Sequence, residues 1–150
     1  MENINLITSE IFISLSLMSL LILGVFKNNS SSIVYNLSIF TLFLSLLINI
    51  NLFSFNNFYL FNGAYKVDHL SNFMKVLIIV SGIFVMLSSS KYLKINKIFK
   101  IEYPILLLSS ILGMFIMISS NDLMVFYLGL ELQSLALYVL ASFKRKNYTF

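Results

Sequence analysis

The fold is decided by residues 123–141, LMVFYLGLELQSLALYVLA, an apolar run that carries one charge, Glu131. At about 1.5 Å of rise per residue, a helix of this length nearly spans a hydrocarbon slab ~30 Å thick. The Glu131 carboxyl then lies roughly 12 Å from the start of the run, close to the slab centre. Placing an acid there costs roughly 2.5 to 3.5 kcal/mol, so a carboxyl at that depth points to function and to a partner elsewhere.

Working outward, four more apolar segments precede this one, at about 6–26, 33–53, 70–90 and 104–119. Each is long enough to cross a bilayer as a helix, and the period-two alternation a β-barrel needs is absent. The reading is therefore an all-α polytopic membrane protein, one domain over residues 1–150 with five transmembrane helices. Composition agrees: 59% of the residues are hydrophobic and 11% charged, where soluble domains carry roughly 25% charge. The chain has no cysteine, which excludes thiolate clusters and disulfides, and its single histidine, His69, does not make a multi-histidine metal site. Pro104 sits where a first helical turn tolerates it. Alanine is scarce while Phe, Ile, Leu, Asn and Lys abound, a skew associated with AT-rich genomes such as those of organelles.

Basic residues set the orientation, because Lys and Arg are retained on the side from which helices insert. With alternating spans, Lys27, Lys91, Lys94, Lys97, Lys100, Lys144, Arg145 and Lys146 share one side, and Lys66 and Lys75 lie opposite. Lys75 is expected to snorkel to the interface from the start of the third helix. The N-terminus is placed outside and the C-terminus on the cytoplasmic or matrix side. Topological anchoring accounts for the net charge of +4 without invoking nucleic acid. The start, Met1-Glu2-Asn3 with Glu10 following, matches neither a secretory signal nor an organellar presequence, so the first helix is expected to be retained. Glu10 is expected to reach the interface. Between the second and third spans, residues 54–69 read as an interfacial loop able to form a hairpin. There Asp68 and His69 read as solvated surface groups in preference to a proton uptake point.

Helical spacing places Tyr127, Ser134, Tyr138 and Ser142 at i−4, i+3, i+7 and i+11 from Glu131, a hydroxyl stripe expected to face the protein interior. Leu130, Leu137 and Met124 are left for lipid or other helices. Gln133 falls about 160° away from Glu131 on ideal geometry. In the fourth segment, Ser109 and Gly113 form a small-xxx-small pair suited to close helix approach. The short link through Ser120, Asn121 and Asp122 makes the fourth and fifth helices antiparallel neighbours, with Asp122 as N-cap of the fifth.

Residues 103–145, YPILLLSSILGMFIMISSNDLMVFYLGLELQSLALYVLASFKR, resemble the fourth and fifth helices of subunit 2, subunit N in bacteria, of the proton-pumping NADH:quinone oxidoreductase, respiratory complex I. The most specific part is Gly129-Leu130-Glu131-Leu132-Gln133-Ser134-Leu135 followed by Tyr138, and Val67-Asp68 is weakly similar. The resemblance implies an antiporter-like fold built from two inverted five-helix repeats. Glu131 matches the family's fifth-helix glutamate, which the resemblance implies pairs with a lysine of a later helix and changes its proton affinity as the complex turns over. Tyr127, Ser134 and Tyr138 are expected to support it.

On the same resemblance this chain stands for the N-terminal part of the subunit, with a second polypeptide supplying the remaining helices, or else for a processed or partial product. The other implied partners are membrane-arm subunits 4 and 4L and membrane lipids. No cofactor is expected in this chain, whereas NADH, FMN, iron-sulfur clusters and quinone belong to other subunits. The residue skew favours the mitochondrial inner membrane as the location, with a bacterial plasma membrane as the alternative. Two other functions stay open: a subunit of a multi-subunit cation/proton antiporter, told apart by the absence of flavin and iron-sulfur companions, and a structural five-helix scaffold whose glutamate only hydrogen-bonds across helices.

Overall fold

In a computed structural model, residues 7–26, 31–52, 58–95 and 100–142 are described. Five helices dominate: α1 (Thr8–Phe26), α2 (Ser31–Asn51), α3 (His69–Ile95), α4 (Glu102–Ser119) and α5 (Leu123–Ser142). All five are long and apolar enough to cross a membrane. Each begins within three residues of its expected position. The main departure is α3, which runs on to Ile95 through Ser88, Ser89, Ser90 and Lys91. Hydrophobicity ends near Ser90, but Ser and Lys cost a helix little, so the backbone continues beyond the slab for a total of about 40 Å. Lys27, Lys97, Lys144, Arg145, Lys146, Asn56, Asn57 and the first six residues lie outside the described residues.

The expected hairpin forms between α2 and α3. Strands β1 (Phe58–Leu60) and β2 (Tyr65–Val67) pair antiparallel, with Leu60 opposite Tyr65. The turn places Phe61, Asn62 and Gly63 at φ of 52°, 55° and 91°. Asn and Gly accept that left-handed region, and Gly63 alone does so without a Cβ penalty.

α4 is the central post. It buries Ile105, Leu107, Leu108, Ile111 and Phe115 against Ile13 and Leu20 of α1, Val34 and Leu42 of α2, and Ile79 and Met86 of α3. Burying a side chain of this size contributes roughly 1.5 to 3 kcal/mol in water; inside a bilayer, close packing replaces that term. α2 and α3 are tied at one end by the Tyr35 hydroxyl, which donates to the Met86 carbonyl, and at the other by Asn72 Nδ2, which donates to the Leu52 carbonyl at 3.1 Å. Apolar side chains such as Leu15, Ile22, Phe40 and Phe84 stay exposed around the perimeter, as lipid-facing residues do.

The spans alternate. The hairpin meets the α4–α5 turn through a bridge between Tyr65 and Ser120 and through Asn121, whose backbone N–H donates to the Ala64 carbonyl at 2.9 Å. The α1 start reaches the same end, where Glu10 meets Tyr65. The opposite end gathers the C-terminus of α1 and the beginning of α4, where Gly24 faces Ile101.

Candidate functional site

α5 packs on α4 through its smallest residues. A Cβ added at Gly129 would fall 2.8 Å from Met117 N and 2.9 Å from the Gly113 oxygen, and one at Gly113 would fall 2.8 Å from the Gly129 oxygen and from Gln133 N. The small-residue expectation therefore holds for Gly113. Its counterpart is Gly129 across the seam. Ser109, one turn earlier, turns its hydroxyl back to the Leu106 carbonyl at 2.8 Å. Asp122 starts α5 as expected: its carboxylate accepts from Met124 N at 3.4 Å and its carbonyl from Phe126 N at 3.0 Å.

Gly129, Gln133 and Ala136 lie roughly 140–160° around α5 from Glu131 on 3.6-residue geometry. Seating those three positions on α4 therefore turns Glu131 away from it. The expected hydroxyl stripe is thus not turned toward these five helices: within this chain Glu131 is exposed, as are Tyr127 at 58% and Tyr138 at 71%. The cause is the glycine seam, which outweighs the polarity of the stripe in choosing the contact face. The Tyr127 hydroxyl donates to Glu131 Oε1 at 2.5 Å, as the i−4 spacing anticipates. Ser134 does not reach the carboxylate; its hydroxyl donates to the Glu131 backbone carbonyl at 3.1 Å. Leu130, Leu137 and Met124 are also exposed.

A second ionisable group was not anticipated as a unit. Lys75 does not snorkel and Glu10 does not reach outward: their side chains are 1% and 8% exposed, and Lys75 Nζ meets Glu10 Oε1 at 2.5 Å. Tyr65 of the hairpin donates to the same oxygen at 2.5 Å, and Ser9 donates to Oε2 at 2.7 Å. The ammonium lies 5.6 Å from the Tyr65 ring centre and 5.9 Å from that of Phe115, where ring faces attract a cation. Burial pushes the Tyr65 phenol well above its ordinary range, and the adjacent Glu10 charge adds to that push. Snorkelling was the wrong rule because a carboxylate waits within reach; the available signal was opposite charge at similar depth on the same side of the membrane.

Asp68 is held by contacts to Ser71 and Lys66. It caps α3, accepting from Ser71 N at 2.8 Å while Ser71 Oγ accepts from Asp68 N at 2.9 Å, and it pairs with Lys66 at 2.8 Å. The Lys66 partner holds the Asp68 carboxyl below its usual value, and the Ser71 hydrogen bonds act the same way. His69, beside it, is exposed.

No family model matches the chain. Curated relatives do, and they agree in name. NADH-quinone oxidoreductase subunit N of Pelagibacter ubique is 63% identical over 97% of this chain and 31% of its own length. Over nearly its whole length the chain is similar to subunit N. The subunit N of Paramagnetospirillum magneticum is 38% identical over 92% of this chain and 28% of its own; that of Bartonella bacilliformis is 41% identical over 95% and 29%. This chain thus spans about a third of the length of the subunit N relatives it matches. Among solved structures, respiratory complex I from Thermus thermophilus with bound aureothin contains a chain that superposes with a TM-score of 0.77. That match has 22% identity and covers 92% of this chain and 30% of the other, a likeness of fold. These subunit N relatives are bacterial, and the organellar expectation, drawn from residue skew, gains nothing from them.

Proposed function

We propose that this chain forms the N-terminal part of a membrane-arm subunit of proton-translocating NADH:quinone oxidoreductase in a bacterial plasma membrane, and that Glu131 is its proton-handling carboxylate. The observation that carries the proposal is the 63% identity to a subunit N across nearly the whole chain. The geometry is compatible: α5 is locked to α4 by glycine, and its opposite face presents Glu131 with Tyr127 to whatever packs there next. Relatives are about three times longer, and on this reading their further helices, on the same or another polypeptide, cover that face and bring a cation to it.

A cation beside a buried carboxylate favours its ionised form, and withdrawal of the cation favours proton uptake. Glu131 exchanges a proton in that way, Tyr127 holds the carboxylate in one rotamer, and Ser134 and Tyr138 flank it. Iron-sulfur clusters are assigned to other subunits, because a chain with no cysteine offers no thiolate for a cluster, and the proposal places NADH, FMN and quinone there with them. Neighbouring subunits 4 and 4L are the proposed membrane-arm contacts. Glu131→Gln in the assembled complex is the test. Proton translocation coupled to quinone reduction should fall, whereas unchanged stoichiometry and turnover would overturn the assignment.

A further inference from the structure

We propose that Glu10, Lys75 and Tyr65 form a second proton-holding site in this chain, at the hairpin end of the bundle and separate from Glu131. The inference rests on the function proposed above. Its starting point is cost. Two charges taken out of water to 1% and 8% exposure are not what stability alone selects, since a buried ion pair is commonly no better than apolar residues of similar volume. Ionisable groups buried in membrane spans are by default functional.

The construction of the site supports the same conclusion. Four elements converge on it: α1 supplies Ser9 and Glu10, α3 supplies Lys75, the hairpin supplies Tyr65, and α4 supplies Phe115. The carboxylate accepts from Lys75, Tyr65 and Ser9, so three protein donors solvate its charge. Among the described residues the ammonium has one carboxylate acceptor and otherwise faces aromatic rings. Ser119, the last residue of α4, is fully buried, and among the described residues its hydroxyl has no hydrogen-bond partner of standard geometry. The next residue, Ser120, forms an isolated bridge with Tyr65 itself, which brings the end of α4 to the hairpin. A polar thread therefore leads from Glu10 through Tyr65 toward the α4–α5 turn. Outside it, the half-buried Lys66–Asp68 pair marks the aqueous side of the hairpin.

The chemistry is one proton in and one proton out. The resting pair, carboxylate and ammonium, has zero net charge. Uptake of a proton on Glu10 leaves a neutral acid beside the ammonium, with net charge +1, and release along the thread restores the pair. No electrons move, and no covalent bond forms apart from the O–H.

The test uses the assembled complex in proteoliposomes with three variants: Glu10→Leu with Lys75→Met, which removes both charges together; Glu10→Gln; and Glu131→Gln as the reference. The proposal expects the double variant to assemble, as judged by native electrophoresis, and to lose proton translocation or turnover several-fold. A double variant that assembles and pumps like wild type overturns it, and the pair is then a structural clasp. If the double variant does not assemble, infrared difference spectra of the wild-type complex during turnover decide. A carboxylic-acid carbonyl signal abolished by Glu10→Gln supports the site, and absence of any signal sensitive to Glu10 overturns it. Loss of pumping in Glu131→Gln alone sinks this inference and spares the proposed function. The reverse pattern removes the role assigned to Glu131.

Discussion

Alanine at Gly113 and Gly129 should destabilise the α4–α5 pair without additivity. At Gly129 the new Cβ lies 2.8 Å from Met117 N and 3.2 Å from Met117 Cα, against ordinary contact at 3.4–4 Å. Both obstacles are backbone, so no side-chain rotation relieves them, and the helices must part by at least the 0.6 Å that separates 2.8 from 3.4 Å. A radial gap of about 0.5–1 Å forfeits a quarter to a half of each contact along the seam. Overpacking of this kind costs about 1–3 kcal/mol per substitution. Because each Cβ strikes the other glycine's oxygen, the second alanine enters a seam already opened by the first. The double variant should therefore lose less than the sum of the singles, by at least about 0.5 kcal/mol. Detergent-titration unfolding of the chain in bicelles, run on wild type, both singles and the double, measures this coupling. Strictly additive losses, or alanine tolerated at both positions, would refute the glycine seam and with it the reason given for the outward aim of Glu131.

Other perturbations separate the remaining contacts. Lys75→Met leaves Glu10 buried without its cation and should cost about 3–5 kcal/mol in the same unfolding assay, while Glu10→Leu with Lys75→Met together should be near neutral. Asp68→Ala removes the cap of α3 and should cost about 1 kcal/mol, visible as faster amide exchange in the first turn after His69. The Asp68 carboxyl is held below its unfolded value by Lys66 and Ser71. Its contribution is therefore present above about pH 4 and lost as pH falls through the lower folded value. Hairpin protection from hydrogen exchange should drop in that acid window for wild type and change less for Asp68→Asn.

Local rules made most of the fold legible. Apolar length located five spans, Asp122 announced the start of α5, and the turn residues between α2 and α3 announced a hairpin. Gly113 pointed to close packing, but its counterpart Gly129 became visible only when α4 and α5 met, and that contact rotates Glu131 outward. The same limit hid the pairing of Glu10 with Lys75, which are 65 residues apart. Considered singly, each end-of-helix charge is cheapest as an interface-reaching side chain, and only the convergence of α1, α3 and the hairpin makes burial affordable. Tyr127 was legible as a partner of Glu131 because i−4 spacing is intrinsic to one helix, whereas Ser134 bends back to the backbone, as helical serines commonly do.

The most direct test of the account is a density map of this chain within its assembled membrane arm, read at the Glu131 face of α5. The account predicts that face covered by another helix, with a lysine or arginine nitrogen within about 4 Å of the carboxylate or joined to it by a single water. Glu131 and Tyr127 packed against lipid tails, with no basic side chain approaching, would contradict it.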